Sequence, residues 1–186
     1  MVVETLLNSK RLQFLLWQLS LTEHIPGAIL EAGVYKGGSL YEIALATRSW
    51  GKQIYGYDTF TGLPESEETS DALDKGRFGD TTYDGVCAIF RPFDNVSIYQ
   101  GLFPESFKRR ALSFAHLDMD LGGPTFHALQ AIKSFMSAGG IIVLDDYGFP
   151  LTPGIKPAVS LFLSLTSKFE IVANSDYQIA LQRKVD

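Results

Sequence analysis

Short apolar segments alternate with helix-like segments along most of the chain, and this alternation constrains the fold more than any other feature. Segments between the apolar runs have helical spacing or helix-start signals. This alternation is typical of a parallel sheet covered by helices on both faces. The predicted strands are 28–30, 53–57, 96–99, 112–117 and 141–144, and the predicted helices are 40–46 with Ser39 as N-cap, 82–91, 104–110, 124–135 ended by Gly139 and Gly140, and 154–167.

The two ends of the chain depart from this alternation. Residues 3–20 have helical spacing and contain neither Gly nor Pro, so they predict an N-terminal helix. Segments 169–172 and 178–181 predict two final strands whose connection is too short for a parallel crossover, so they must pair antiparallel. We therefore predict an α/β fold, a doubly wound, mostly parallel seven-stranded sheet with a C-terminal antiparallel hairpin.

Length and composition favour one compact domain over residues 1–186. It would comprise an N-terminal helical segment at 1–26 and a mobile lid loop at 61–82, where acidic residues accumulate. The chain has 21 acidic and 16 basic residues and a net charge of -5, a balance that argues against a nucleic-acid or anionic membrane partner. The single cysteine, Cys87, cannot form an internal disulfide, and the first residues lack a secretory signal pattern. A cytoplasmic location is expected.

Acidic residues follow four of the first five predicted strands, at Glu31, Asp58, Asp118 and Asp145. In open α/β sheets, ligands bind beyond the carboxyl ends of the strands. Burial of several carboxylates in one cleft is unfavourable unless they bind cations or accept hydrogen bonds from hydroxyl groups. The pattern therefore predicts a binding site at this edge of the sheet.

The turn after the first strand, residues 31–39, reads Glu-Ala-Gly-Val-Tyr-Lys-Gly-Gly-Ser. Its spacing is not that of a dinucleotide-binding turn, and its leading acid would repel pyrophosphate but attract an ammonium group. Asp58, at the end of the second strand, could accept hydrogen bonds from both hydroxyls of a ribose. An ordinary strand-to-helix turn and a capping aspartate are the structural alternatives.

A second group of acids comprises Asp118, Asp120, Asp145 and Asp146, which follow the fourth and fifth strands. Three carboxylates that converge there would repel one another without a cation, and oxygen ligands suit Mg²⁺. Asp120 could support the loop instead of binding the ion. The alternative to a metal site is that these aspartates cap the segments that follow them. His116, inside the fourth strand, is expected to be a hydrogen-bonded core residue.

Taken in order, the motifs resemble those of the macrocin O-methyltransferase family, whose members methylate sugar hydroxyls of antibiotics. The resemblance covers about residues 27–165, and its sheet is that of class I methyltransferases, which are Rossmann-like. The motifs are 31–39, 57–64 (Tyr-Asp-Thr-Phe-Thr-Gly-Leu-Pro), 78–81 (Phe-Gly-Asp-Thr), 101–104 (Gly-Leu-Phe-Pro), 117–121 (Leu-Asp-Met-Asp-Leu) and 139–148.

The resemblance implies an O-methyltransferase that uses S-adenosylmethionine and Mg²⁺, or another divalent cation, to methylate a hydroxyl of a small-molecule acceptor such as a sugar or natural product. It implies Asp118, Asp145 and Asp146 as metal ligands and Asp118 as the catalytic base. Within the cofactor site, Glu31, Gly33 and Ser39 would hold the amino-acid part and Asp58 the ribose. The full implied set of cofactor-binding residues is Glu31, Gly33, Val34, Gly37, Ser39, Asp58, Thr59, Phe60, Gly101 and Asp118.

Two departures from the family pattern keep other functions open. Residues 122–125 are Gly-Gly-Pro-Thr where the family usually has Tyr-Glu-Ser-Thr, and residues 160–161 are Ser-Leu where an acidic pair is common. The alternatives are an NAD(P)-dependent oxidoreductase and a non-catalytic relative that binds S-adenosylmethionine. The apolar face of the N-terminal helix, with Leu6, Phe14 and Trp17, is expected to cover the sheet, and a homodimer interface is its alternative use.

Overall fold

The computed structural model describes residues 3–64 and 73–185, which form seven strands and five helices. The strands are β1 (Ala28–Ala32), β2 (Ile54–Asp58), β3 (Val96–Gln100), β4 (Leu112–Leu117), β5 (Met136–Leu144), β6 (Phe169–Ser175) and β7 (Gln178–Arg183). The helices are α1 (Ser9–Ser20), α2 (Gly38–Ala46), α3 (Tyr83–Phe90), α4 (Gly122–Ile132) and α5 (Ile155–Ser164).

All seven strands belong to one sheet with the order β3-β2-β1-β4-β5-β7-β6. The strands β1 to β5 pair in parallel, whereas β7 is antiparallel to both β5 and β6. The predicted doubly wound sheet with a C-terminal hairpin is therefore confirmed. The strand order reverses between β1 and β4, and open α/β sheets bind ligands at such a switch point.

Each face of the sheet is covered by its own set of helices. Phe14 and Leu15 of α1 pack with residues of α2 and α3 on one face, and Leu129 of α4 packs with Phe162 of α5 on the other. Every residue of β1 and β4 is buried because both faces are covered, which explains why most of their residues are apolar. None of the helices described here is long and apolar enough to cross a membrane.

The N-terminal segment differs from its prediction at its start. The helix begins at Ser9 and not at residue 3, because the Asn8 side chain caps it and accepts hydrogen bonds from the backbone N–H groups of Lys10 and Arg11. Of the three residues expected on the face that covers the sheet, Phe14 is buried, whereas Leu6 and Trp17 are 72% and 58% exposed. Leu15 and Leu19 are the other buried apolar residues of α1. A homodimer through this helix stays a prediction.

Two further expectations are wrong. Residues 104–110 form a turn and an extended segment instead of a helix, and Tyr57 Oη accepts a hydrogen bond from the backbone N–H of Lys108. Gly139 and Gly140 lie inside β5 and do not end α4, which stops at Ile132. Gly139 has a φ of +78°, and the register between β4 and β5 shifts nearby, so these glycines mark an irregularity of the strand.

The predicted lid loop at 61–82 is only partly described. Residues 65–72 lie outside the described residues, and its role as a lid stays a prediction. On its described C-terminal side, Asp80 accepts hydrogen bonds from Tyr35 Oη and Lys36 Nζ of the turn after β1. This side of the loop is therefore tied to that turn.

The chain passes very close to itself where β1 ends beside β4. Gly33 has a φ of +92°, and a Cβ atom added there would lie 1.8 Å from the carbonyl oxygen of Asp118. A side chain at position 33 would push apart the two strand ends that define the switch point. Only glycine fits both the backbone angle and the available space.

We predict that Gly33→Ala destabilises the protein more than Gly51→Ala does. Gly51 also has a positive φ, of +66°, but a Cβ atom there meets nothing within 4 Å. The Gly51 variant therefore measures the cost of the backbone conformation without any steric clash. Gly51→Ala should lower the free energy of unfolding by roughly 1–2 kcal/mol. Gly33→Ala should lower it by at least about 2 kcal/mol more because of the clash. Urea denaturation measures both, and equal losses would show that the contact relaxes without penalty.

Candidate functional site

A cavity of about 390 Å³ opens at the carboxyl ends of β1, β2, β4 and β5. This volume is within the range of sites for small molecules and cofactors. Its walls combine the strand ends with residues 4–7 and Arg11 of the N-terminal segment. The site therefore lies at the switch point, where the sequence pattern predicts it.

The turn after β1 forms one wall through Gly33, Val34 and Ser39. Gly37 has a φ of +87° and donates its backbone N–H to the carbonyl of Val34, which closes the turn. Gly37 is also the N-cap of α2, so Ser39 lies inside the helix, and its predicted capping role is wrong. Gly37 itself packs toward Phe90 and lies away from the cavity wall.

The carboxylate of Asp58 is held by two backbone amides. Its Oδ2 atom accepts a hydrogen bond from the N–H of Tyr35 and its Oδ1 atom one from the N–H of Phe60, both at 2.7 Å. Each oxygen keeps a lone pair for another donor, and Asp58 lines the cavity. The turn after β1 thus orients this acid toward the space where a ligand would lie.

The other predicted cofactor residues divide between the cavity wall and its support. Thr59 and Gly101 line the cavity. Phe60 is 6% exposed and packs its ring against Tyr83, with centroids 5.6 Å apart, so only its backbone serves the site through Asp58. The structure places Thr59 and Gly101 beside Asp58 and places Phe60 beneath them.

Glu31 lies deeper than its predicted role requires. It is fully buried within β1 and is absent from the cavity wall. Its Oε1 atom is 2.7 Å from Nδ1 of His116, which confirms His116 as a hydrogen-bonded core residue. Among the described residues, Glu31 Oε2 and His116 Nε2 have no hydrogen-bond partner. One buried carboxylate oxygen beneath the turn is thus left without a protein donor.

Four carboxyl groups, from Asp118, Asp120, Asp145 and Asp146, line the cavity where β4 and β5 end, and we call them the aspartate cluster. Side-chain oxygens of Asp118, Asp120 and Asp146 all lie within 4.8 Å of one another. The sequence pattern predicts Asp118, Asp145 and Asp146 as the metal ligands and gives Asp120 a supporting role. The closest group of oxygens instead contains Asp120 and does not contain Asp145. The Oδ1 atom of Asp145 is buried and has no partner among the residues described here.

Burial and mutual repulsion raise the pKa values of these carboxyls. The pKa of Asp118 lies well above its ordinary value because the group is desolvated and because Asp145 and Asp120 lie nearby. Burial, followed by the charge of Asp146, raises the pKa of Asp120 to about 8. Such a cluster favours a bound cation, and an all-oxygen donor set suits a hard divalent ion.

Arg11 of α1 is the basic side chain in direct contact with the cluster. Its Nη1 atom lies 3.0 Å from Asp145 Oδ2 and 3.2 Å from Asp146 Oδ1. Burial raises the pKa of both carboxyls, and the Arg11 charge opposes this increase. The N-terminal helix therefore delivers a positive charge to the acidic edge of the sheet.

Sequence reasoning did not identify Arg11, although the sequence contains a signal for it. Arg11, Leu15 and Gln18 recur at helical spacing on the side of α1 that faces the protein, and the buried Leu7 continues this spacing just before the helix. A charged residue within such an apolar stripe indicates a buried partner of opposite charge, because an unpaired buried charge is very unfavourable. The partner itself could not be named without the fold.

We predict that Asp120→Asn stabilises the metal-free protein as the pH increases. The unfolded chain releases this proton near 3.8 and the folded protein near 8, so the folded state loses stability as the pH increases through this window. Asparagine removes the titration but can still donate a hydrogen bond to Asp146. In chelator, the variant should gain at least about 1 kcal/mol at about pH 8 and little at about pH 4. The matched control is Asp94→Asn, at an exposed position. The prediction would be contradicted if the difference in unfolding free energy between the two variants did not change with pH.

The model of the family described as "Macrocin-O-methyltransferase (TylF)" matches residues 2–176. An 8-demethyl-8-(2,3-dimethoxy-alpha-L-rhamnosyl)-tetracenomycin-C 4'-O-methyltransferase of Streptomyces olivaceus is 28% identical over 166 residues, which are 78% of this chain and 63% of the relative. A demethyldecarbamoylnovobiocin O-methyltransferase of Streptomyces niveus is 26% identical over 166 residues, 80% of this chain and 61% of the relative.

The fold of the chain also resembles that of a solved O-methyltransferase. The solved O-methyltransferase NovP superposes with a TM-score of 0.81 at 23% identity, over 97% of this chain and 82% of that one. The match to the two curated relatives spans less than two thirds of their length. The family model, in contrast, covers nearly the whole chain. The chain belongs to the macrocin O-methyltransferase (TylF) family.

Proposed function

We propose that the protein is an O-methyltransferase that transfers the methyl group of S-adenosylmethionine to a hydroxyl of a small molecule, a sugar or a natural product. The observation that carries this proposal is one cavity with two different acidic sides. Asp58 lies on the side of β2, and the aspartate cluster lies on the side of β4 and β5. Both curated relatives are named as O-methyltransferases, one of a rhamnosyl-tetracenomycin derivative and one of a novobiocin derivative.

The cofactor side of the cavity is built to orient a nucleoside. The backbone amides of Tyr35 and Phe60 fix the Asp58 carboxylate, whose remaining lone pairs suit two neighbouring hydroxyls. Gly33 leaves backbone, and no side chain, at the wall next to it. The unpartnered Oε2 atom of Glu31 lies beneath this turn and could neutralise an ammonium group above it. We assign the ribose to Asp58 and the amino-acid part to the turn.

The opposite side of the cavity has the donors that a divalent cation requires. We propose Asp118, Asp145 and Asp146 as its ligands. Asp120 is a further candidate ligand, because its side-chain oxygen lies within 4.8 Å of those of Asp118 and Asp146. The clustered carboxylates, together with the unpartnered Oδ1 atom of Asp145, fit a hard ion such as Mg²⁺. When bound, such an ion lowers the pKa of an acceptor hydroxyl and fixes the position of its oxygen.

The chain's own residues then have three tasks. Asp118 accepts the proton of the acceptor hydroxyl, because its carboxyl group lines the cavity at the end of β4. Asp58 and the turn after β1 hold the methyl donor in line with the acceptor oxygen, which removes most of the entropic barrier. Apolar side chains of the wall exclude water from this space, namely Leu7, Phe78, Leu102, Phe103, Phe149 and Leu151.

We predict that Asp118→Asn abolishes methyl transfer but retains cofactor binding. The amide cannot accept the proton, so turnover should fall by roughly 10²–10⁴-fold. The assay follows radiolabelled methyl transfer to a panel of hydroxylated sugars and glycosides, and calorimetry with S-adenosylhomocysteine measures binding. Asp94→Asn, on the exposed loop before β3, controls for a general loss of charge. Unchanged turnover in the Asp118 variant would remove this residue from the mechanism.

We predict that Asp58→Ala weakens S-adenosylhomocysteine binding by at least about tenfold, because hydrogen bonds to a charged group contribute on the order of 1.5–3 kcal/mol. Calorimetry with S-adenosylhomocysteine and, in parallel, with NAD measures this change. Binding of NAD by the unmodified protein, without binding of S-adenosylhomocysteine, would favour the oxidoreductase alternative. Binding of S-adenosylhomocysteine without transfer to any acceptor would favour a non-catalytic relative.

A further inference from the structure

The position of Arg11 conflicts with a metal ion at the proposed ligands. Arg11 Nη1 contacts one oxygen of Asp145 and one oxygen of Asp146, which are two of the three carboxylates proposed to bind the ion. The third, Asp118, is not hydrogen-bonded to Arg11, although its charge acts on the guanidinium. The described structure thus places the guanidinium of Arg11 against two of these carboxylates at the end of β5.

Contacts on several sides hold the Arg11 guanidinium in this place. Its Nε atom donates a hydrogen bond to the carbonyl oxygen of Asp176, at 3.1 Å, in the turn between β6 and β7. Its Cζ atom lies 5.5 Å from the ring centroid of Phe149 and 5.4 Å from that of Tyr177. The side chain is only 14% exposed. The fold therefore positions Arg11 in the metal-free site, and it is not a surface residue that happens to reach an acid.

The same turn also anchors the start of α1. Asn8, the N-cap of the helix, donates a hydrogen bond from Nδ2 to the Asp176 carboxylate at 2.7 Å. Asn8 and Arg11 are one helical turn apart and bind the same residue, so the start of α1 and the guanidinium are positioned together. A displacement of Arg11 would therefore also affect the first turn of α1.

We propose that Arg11 is an internal counter-cation that competes with a divalent metal ion for Asp145 and Asp146. The proposal rests on the metal site proposed above and adds that binding of the ion displaces the guanidinium, even though Arg11 contacts only one oxygen of Asp145, the Oδ2 atom. Two cations in contact with the same carboxylates repel each other strongly at this degree of burial. In the absence of the ion, Arg11 compensates the charge at the end of β5 and keeps the two side chains in position.

The direct test is the affinity for Mn²⁺ alone, measured by electron paramagnetic resonance or calorimetry on the full chain. Arg11→Met removes the charge but keeps an unbranched side chain against Phe149 and Tyr177. It should bind Mn²⁺ roughly tenfold more tightly than the unmodified protein, which is an ordinary size for coupling between competing ligands. The matched control is Lys10→Met, which removes one positive charge from the adjacent, exposed position of the same helix. This control should bind Mn²⁺ as the unmodified protein does.

Hydrogen exchange on the unmodified protein tests the displacement without any substitution. Saturating Mg²⁺ should accelerate exchange of the amides of Lys10 and Arg11, which are bonded to the Asn8 side chain at the start of α1. The amides of α4, which packs on the other face of the sheet, serve as the internal reference. Unchanged exchange in the first turn of α1, with Mg²⁺ shown to be bound, would overturn the proposal.

The remaining outcomes separate this proposal from the proposed function. Equal or weaker Mn²⁺ binding by Arg11→Met overturns the competition but leaves the metal site in place. Absence of Mn²⁺ binding in every variant overturns both the competition and the metal site. In that last case, methyl transfer measured in excess chelator decides whether the transferase proposal survives without a metal ion.

Discussion

Repulsion among the four carboxyl groups of the aspartate cluster is the constraint on which the rest of the site depends. The fold gathers them because β4 and β5 are neighbours and both end at the same edge of the sheet. Burial raises their pKa values, so the cluster is stable only with protons or cations. The chain contributes Arg11 of α1, and the proposed function adds a divalent ion. A site that is electrostatically unfavourable in isolation is thus prepared for positively charged ligands.

The sheet could be predicted from the sequence because its strands are buried on both faces. Apolar residues predominate in β1 and β4, with Glu31 in β1 and Ser113 and His116 in β4 as buried exceptions, and short apolar runs between turn signals indicate buried strands. The prediction failed where one local signal has two meanings. Gly139 and Gly140 can end a helix or interrupt a strand, and the register of β4 and β5 decides for the strand. Pro104 can begin a helix, but the segment after it forms a turn whose backbone is bonded to the side chain of Tyr57.

Only those site residues that directly follow a strand could be predicted from the sequence. Asp58, Asp118 and the Asp145–Asp146 pair follow strands directly, so the parallel order brings them to one cavity. The depth of Glu31 was not predictable, because its partner His116 belongs to a strand 85 residues away. The contact between Arg11 and Asp145 spans 134 residues and depends on how α1 lies over the sheet. No spacing rule indicates such a pair, and only the charge within the apolar stripe of α1 hints at it.

The hydrogen bonds between the beginning of α1 and the turn of the β6–β7 hairpin join the first helix of the described chain to its last two strands. During synthesis, the helix leaves the ribosome long before its partner turn exists. A nascent chain that has just completed Asp146 contains all four aspartates but lacks the contacts of the hairpin turn with Asn8 and Arg11. The residues that help to hold the arginine are therefore made later than the carboxylates that it neutralises.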